Sequence, residues 1–540
     1  MDTVFEETNQ TRFQFSRAPK LVVNPSGAAP LAAELSFQTP VPVCAEIAID
    51  DGARSWTVPT PSEPDTRHSH ILLGMRPDQI HSIKLTLLDS LGDVHAGVWR
   101  ANFQTDPLPD DFPDLKLSIS DAASMEPGFT FFGIRKSQRS GARGYGVIVA
   151  LDAEGEVVWL CNTGHTVGEI KRLKNGNLIY LTFDNRAIEL DMLGNRICQW
   201  FAAGAHNAGD FEAADGSIPV AAEAFHHDIQ ELENGNFVVL GIERRTYSDY
   251  PSSETDAAAP RAEALVVGDV IVEFQRNGEV VANWRMLDIL DPQRIGYGSL
   301  SDYWVNKGIP GSMDWSHLNS VFLDTDDDSF IVSARHQDAV IKIRRDSGEI
   351  VWILGNHDGW RAPWSDQLLA PEGAPDGAPD GAPDGTFEWQ YHQHHATITS
   401  RGSILLFDNG NHRAHPFDAK RPPAENYSRA VEFAVDEAAK AVQQVWSYGG
   451  PGPEAYYCPF ICGAEEMPNS GNVLACFGGL MSDDNGAVID DTRTGLGWVR
   501  IAEVTREDEP RLVFELFIDE RHKGKGWDVY RAHRLPALYG

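Results

Sequence analysis

Cysteine is scarce in this chain, with six residues in 540, at positions 44, 161, 198, 458, 462 and 476. A set so small and scattered excludes a disulfide scaffold or a paired CxxC zinc site. Only Cys458 and Cys462 are close enough for a local bridge, the alternative being two buried thiols. Positive charge is also short: 45 Lys+Arg stand against 79 Asp+Glu, a net charge of −34. Phosphate binding needs a basic footprint, so the balance argues against nucleic-acid partners and disfavours an anionic membrane surface. Long apolar runs are missing too. None approaches the roughly 18 residues of a spanning helix, so no membrane insertion is expected. The opening MDTVFEETNQTRFQF has no basic stretch leading into an apolar one. As the chain stands it reads as cytoplasmic, and removal of a leader would make it periplasmic.

What the chain does hold is ample core material, 42% hydrophobic and 10% aromatic, and an internal repeat. One unit is a strand, a turn and a second strand, usually closing on Trp: VIVALDAEGEVVWL (147–160), AIELDMLGNRICQW (187–200), VIVEFQRNGEVVANW (270–284), VIKIRRDSGEIVWIL (340–354), AVEFAVDEAAKAVQQVW (430–446) and VRIAEVTREDEPRLVFEL (499–516). Alternating apolar residues around Asp, Asn or Gly turns are hairpin signals. A second unit precedes these hairpins, as in GEIKRLKNGNLIYL (168–181), HDIQELENGNFVVL (227–240), HLNSVFLDTDDDSFIV (317–332), HATITSRGSILLF (395–407) and GAEEMPNSGNVLACF (463–477), with FTFFGIR (129–135) as the opening copy. Four-stranded antiparallel units repeated radially limit exposed edges in a β-propeller. The reading is therefore all-β, with a six-bladed propeller over residues 120–540. Residues 1–110 lack the repeat and show short alternating strands suited to a small β-sandwich, joined by the Pro/Asp-rich linker PLPDDFPDL (107–115). A low-complexity stretch, APEGAPDGAPDGAPDG (370–385), is expected to be a surface loop, with a lid over the site as the functional alternative.

Aligning the second unit on its turn brings histidines to matching places. Ten residues before the strand start lie His227 and His394, while Gly168 and Gly463 fill that place elsewhere. His317 lies thirteen before Phe330, which fits once three inserted loop residues are allowed. A lone histidine is usually a satisfied core residue, but three at equivalent repeat positions are expected to face one central funnel. Asn319, two residues after His317, points to the same side of an extended segment. Arg335 follows the strand of the same blade, with a surface ion pair as its bland alternative.

Such a cluster has two physical readings. Three neutral imidazoles suit zinc with water in the fourth position. Alternatively His, Arg and Asn donors hold an oxyanion beside one unprotonated nucleophilic His. A guanidinium among the histidines disfavours a dication and favours a tetrahedral oxyanion such as sulfate, so the oxyanion is preferred and no metal or other cofactor is expected.

The strings FHHDIQELENGN, DWSHLNSVFLD, DDSFIVSARHQDAVIKI, GEIVWILGNHDGW, QHHATI and ILLFDNGNHR resemble the motif series of the bacterial arylsulfate sulfotransferases, which transfer sulfuryl groups without a nucleotide donor. The similarity covers the chain from about residue 120 onward, and more weakly the first 110 residues. It implies an aryl sulfate donor, a phenolic acceptor, ping-pong transfer and a homodimer. The family's transiently sulfated nucleophile falls on His394, directly after Gln393, with His392 and His395 as neighbours that compete for the assignment. Its sulfate-holding residues fall on His227, His317, Asn319 and Arg335, with His226 the alternative to His227 and His395 an added substrate contact. Family members carry a cysteine pair shortly upstream of that histidine, where this chain holds the PDG repeat, and exported members have a leader, which is not visible here.

Alternative functions are a sulfatase with water as acceptor, a metal-dependent hydrolase or lyase using the histidines, and a non-enzymatic interaction propeller. Trp315, Tyr303 and Trp389 are candidates for stacking on an aromatic substrate, each with blade packing as the bland reading.

Overall fold

The structure, a computed structural model, describes residues 3–6, 15–88, 94–141, 144–212, 216–372, 387–452 and 455–540. It is all-β: among these residues the α-helices are single turns at Gly209–Glu212 and Met286–Ile289. Among the described residues no helix is long and apolar enough to cross a membrane. Most of the PDG repeat lies outside the described residues. Its start, Ala370–Pro371, pairs in parallel with Ala441–Gly449.

The amino-terminal strands are organised by one long strand, Ala33–Asp50, whose alternation of buried with less buried residues, broken at Pro40–Pro42, is the period-two signal of a half-buried strand. Its first half pairs with Arg17–Val23 and Asp65–Leu72, and its second half with Ser55–Val58 and Ile80–Leu88. Leu35, Phe37, Val43, Ile47, Leu85 and Trp99 form the core between them. This unit is tied to the rest of the chain: Arg54 Nη1 meets Asp152 Oδ2 at 2.5 Å, and the Tyr539 hydroxyl accepts from Leu73 N at 2.9 Å.

Beyond it the chain forms six sheets of four or five strands. The hairpins expected from the sequence are all present as the outer pairs of these sheets. Their recurring Trp has a physical reason. Trp159 donates its indole N–H to Met192 O, Trp200 to Arg276 O, Trp284 to Arg345 O and Trp352 to Glu437 Oε1, each at 2.9 Å. Every acceptor lies in the outer turn of the next sheet, so each Trp buries its ring and stitches its sheet to its neighbour with a bond contributing about 1 kcal/mol.

The first strands of the sheets contact one another in sequence: Val167–Arg172, His226–Glu231, Leu318–Asp324, His394–Ile398 and Gly463–Glu466. The circuit closes through Trp527–Leu535, which touches both Gly463–Glu466 and Val167–Arg172. The sequence marks FTFFGIR (129–135) as the opening copy; the strand runs Phe129–Lys136, and this carboxy-terminal strand pairs with it antiparallel on its inner side. Leu115–Ser120, at the edge of the expected linker, pairs with Leu512–Ile518 of the sixth sheet.

Candidate active site

The chemistry-bearing residues sit at the starts of the inner strands. A bulge recurs there: the ladder slips between Val167 and Ile170, His226 and Ile229, Leu318 and Ser320, His394 and Thr397, and Val529 and Ala532. Bulges re-aim side chains next to sites. His227, His317 and His395 accordingly adopt left-handed backbone, with φ of 59°, 49° and 56°. Non-glycine residues rarely hold that conformation, and its cost is tolerated mainly at functional positions.

His394 is buried, and its Nδ1 lies 2.7 Å from Asn409 Oδ1. The Asn409 amide nitrogen donates to the carbonyls of Cys458 and Ile461 at 2.8 and 3.1 Å, which fixes its oxygen toward the imidazole. His394 Nδ1 therefore carries the proton and Nε2 keeps its lone pair. Burial, then the Arg335 cation, hold this histidine well below its usual pKa, so it is neutral.

His227 and His317 stand edge to face, ring centroids 4.6 Å apart, and burial with neighbouring cations holds both well below 6.5. His394 is among the groups that lower His227, and His317 among those that lower His394. The three histidines found by counting thus share one electrostatic environment. His226 is turned aside: its Nε2 donates to Gly241 O at 3.1 Å, with Asp269 Oδ1 at 3.2 Å, and its Nδ1 faces His227 Nδ1 at 2.8 Å. His395 is buried behind His394, its ring 6.2 Å from that of His533.

Arg335 is no surface ion pair. Its Nη1 lies 2.5 Å from His336 Nε2 and its Nη2 donates to Pro459 O at 3.0 Å. Asn319 is fully buried, and both ends of its amide meet backbone: Nδ2 donates to Gln393 O at 2.7 Å and Oδ1 accepts from His395 N at 3.4 Å. It grips the strand on either side of His394. Tyr303 is the stacking candidate that reaches the site, edge-on to His317 at 4.8 Å. Trp315 and Trp389 are packed in sheet cores. A cavity opens beside His226 and His227, walled by Phe183, Phe225, Tyr303, Trp304 and Tyr530, with Lys307 among its lining residues.

The structure adds residues that sequence reasoning missed. Asn409 lies inside the quoted ILLFDNGNHR string, and Asp314 and His336 inside DWSHLNS and SARHQ, yet their roles depend on contacts across sheets. Arg531, on the closing strand, donates to Glu169 Oε2 and Asn319 O, each at 2.6 Å. Cys458 and Cys462 are free buried thiols flanking the turn that receives Asn409 and Arg335. Asp314, His317 and His336 bring possible ligand atoms within 4.8 Å of one another. His336, however, donates Nδ1 to Asp314 O at 2.7 Å and accepts Arg335 at Nε2, so neither nitrogen is left for a metal, and the guanidinium opposes a dication.

A neutral histidine with a directed lone pair, a guanidinium beside it and two further imidazoles form a site for an anionic electrophile. The arylsulfotransferase (ASST) family model matches residues 120–531. The chain belongs to the arylsulfotransferase family. Arylsulfate sulfotransferase AssT of Escherichia coli O6:H1 is 34% identical over 287 residues, covering 48% of this chain and 45% of the relative. Its namesake from Lelliottia amnigena is 27% identical over 296 residues, covering 49% and 47%. The match thus spans about half the length of these curated arylsulfotransferase relatives. Among solved structures, a protein from Lactobacillus plantarum aligns over 75% of this chain and 99% of its own at 11% identity and a TM-score of 0.34, too low to carry an argument.

Proposed function

We propose that this protein moves a sulfuryl group from an aryl sulfate to a phenolic acceptor by a ping-pong mechanism through a sulfohistidine on His394. We further propose that residues from about 120 to 540 form a six-bladed propeller preceded by an amino-terminal sandwich of residues 1–110. The cyclic contact of six inner strands supports the architecture. The observation that carries the chemistry is the contact that sets the tautomer of His394: Asn409 Oδ1 accepts from Nδ1–H, leaving a neutral Nε2 nucleophile beside Arg335.

In the first half-reaction Nε2 of His394 attacks sulfur as the sulfur–aryloxygen bond breaks, and the departing phenolate takes the proton that His227 or His317 kept from the preceding transfer, or one from water in the first turnover. In the second, an acceptor phenol returns that proton as its oxygen attacks sulfur and the sulfur–nitrogen bond breaks. No net proton is consumed. Sulfuryl transfer, like phosphoryl transfer, passes through a loose in-line transition state, so positioning and charge stabilisation dominate. Arg335 supplies the cation for the sulfuryl oxygens. Asn319 contributes by fixing the backbone at residues 393 and 395.

The test is incubation with p-nitrophenyl sulfate, with and without phenol, after exhaustive chelation, followed by intact-mass measurement without acceptor. Nitrophenol release that rises with phenol, survives chelation and leaves a sulfuryl adduct absent from His394→Ala supports the proposal. Release indifferent to phenol would make the protein a sulfatase, and loss on chelation would restore the metal reading.

A further inference from the structure

We infer that Asp314 is the positioning residue that sets the proton on His317 and thereby makes His317, rather than His227, the group that exchanges a proton with the phenol oxygen. This deepens the sulfotransferase reading above and rests on it. Asp314 ends the short strand Ser312–Asp314, which pairs in parallel with the third sheet, and it is 1% exposed. Three donors converge on it. His317 Nδ1 lies 2.5 Å from Oδ2, Trp304 Nε1 donates to Oδ1 at 2.9 Å, and His336 Nδ1 donates to the main-chain oxygen at 2.7 Å.

Each contact has a consequence. The indole N–H of Trp304 only donates, so Oδ1 must accept. With Oδ2 receiving Nδ1–H of His317, the free nitrogen of that ring is Nε2, the only atom through which it can serve substrate. A carboxylate held in this way also stabilises the imidazolium formed when Nε2 takes a proton, the role an acid plays behind a catalytic imidazole. His227 lacks such support: its Nδ1 meets the Nδ1 of His226. The same segment governs the sulfuryl-holding cation as well, because His336 turns its Nε2 to Arg335 Nη1 at 2.5 Å.

Other groups face His317 from every side. His227 and His336 lie with ring centroids 4.6 and 4.7 Å away, and Tyr303 at 4.8 Å. Arg335 and His226 disfavour its charged form, while Asp269 favours it. Burial raises Asp314 and lowers His317, opposing the charged form of each, so the imidazole of His317 rests neutral. Proton gain then belongs to the moment an acceptor phenol gives up its own. As the acceptor oxygen bonds to sulfur and the sulfur–nitrogen bond to His394 breaks, His317 Nε2 takes the proton. In the first turnover the departing aryl oxide takes its proton from water, and thereafter the proton held on His317 Nε2 passes to the aryl oxygen of the next donor, so protons balance over the cycle.

The test is Asp314→Asn, which presents an amide nitrogen to His317 once its oxygen stays with Trp304, and so drives the proton to the wrong ring nitrogen. Transfer from phenyl sulfate, whose leaving oxygen needs a proton, should fall by about 100-fold or more. Transfer from p-nitrophenyl sulfate, whose phenolate leaves unaided, should fall by less than about 10-fold. Equal losses for the two esters would mark a merely structural role and overturn the inference. Nitrogen NMR on the wild-type protein, with His317→Gln used only to assign the signal, decides independently of activity and of the variant's folding. A protonated Nδ1 and a lone-pair Nε2 on His317 are expected, and the opposite tautomer overturns the inference. Should the wild type turn over neither ester, the sulfotransferase reading fails while the tautomer is still read directly.

Discussion

Asn409 faces His394 with its oxygen, 2.7 Å from Nδ1, because its nitrogen is spent on the carbonyls of Cys458 and Ile461. Replacing it by Asp keeps the shape and changes the charge. A carboxylate there stabilises the imidazolium and raises the pKa of His394, so the lone pair appears only at higher pH. Asn409→Asp should therefore move the acid limb of the pH–rate profile for p-nitrophenyl sulfate upward by at least about one unit. An unmoved limb would show that His394 is not the titrating nucleophile.

Half-buried His227 and five buried histidines, at positions 317, 336, 392, 394 and 395, are held well below 6.5. Their unfolded counterparts gain protons below about 6.5 while the folded ones do not, so their stabilisation is complete above that pH and declines beneath it. Each contributes a slope of up to about 1.4 kcal/mol per pH unit. His533 runs the other way: acidic partners raise it to about 9, so its contribution is full below 6.5 and fades as pH rises through 9. Melting temperature should thus peak between these limits and fall steeply from pH 6.5 to 5. A flat curve across that range would show that these rings are hydrated.

Arg531 lies between Glu169 and the carbonyl of Asn319, both at 2.6 Å. Arg531→Met leaves Glu169 with Lys171 and His533 only, and frees the segment that grips His394. Chemical denaturation should report a loss of about 3–5 kcal/mol, the range for orphaning a buried charge. A loss under about 1 kcal/mol would mean that Lys171 and His533 suffice.

The net charge of −34 repels an anionic aryl sulfate at long range, while Arg335 and the imidazoles attract it locally. At about 0.15 M salt the Debye length is about 8 Å, which screens the outer field more than the site. KM for p-nitrophenyl sulfate should fall between low and moderate ionic strength. A rise instead would reveal a basic entrance hidden within the total.

Much of this was legible in the residues. The hairpins and their order follow from a repeat whose turns are spelled in Asp, Asn and Gly, and counting within it singles out His227, His317 and His394. Counting from the turn equates His227 with His394, but the ladder sets His226 opposite Leu240 and His394 opposite Phe407. Those partners hold matching places in their strands, so the third sheet's bulge contains one residue more than the fifth's. A bulge leaves no signature in composition, which is why the choice between His226 and His227 needed coordinates. Asn409, Asp314, His336 and Arg531 were illegible for another reason: a repeat pattern reports which residues alternate inward, not which partners orient them, and those partners are the carbonyls of Cys458 and Ile461 for Asn409, Trp304 for Asp314, the main chain of Asp314 for His336, and Glu169 with Asn319 for Arg531. The closing strand Trp527–Leu535 was missed because its partner lies some four hundred residues away.

That closure sets the order in which the protein can become active as it is made. During synthesis five sheets can form behind the ribosome while the first still lacks its inner strand. Arg531 emerges after all the other strands of the six sheets, and without it Glu169 and the Asn319 carbonyl have no guanidinium between them. The surroundings of His394 are therefore completed only once this strand has emerged behind all the others, so a product truncated before it lacks the contacts that hold Asn319 in place.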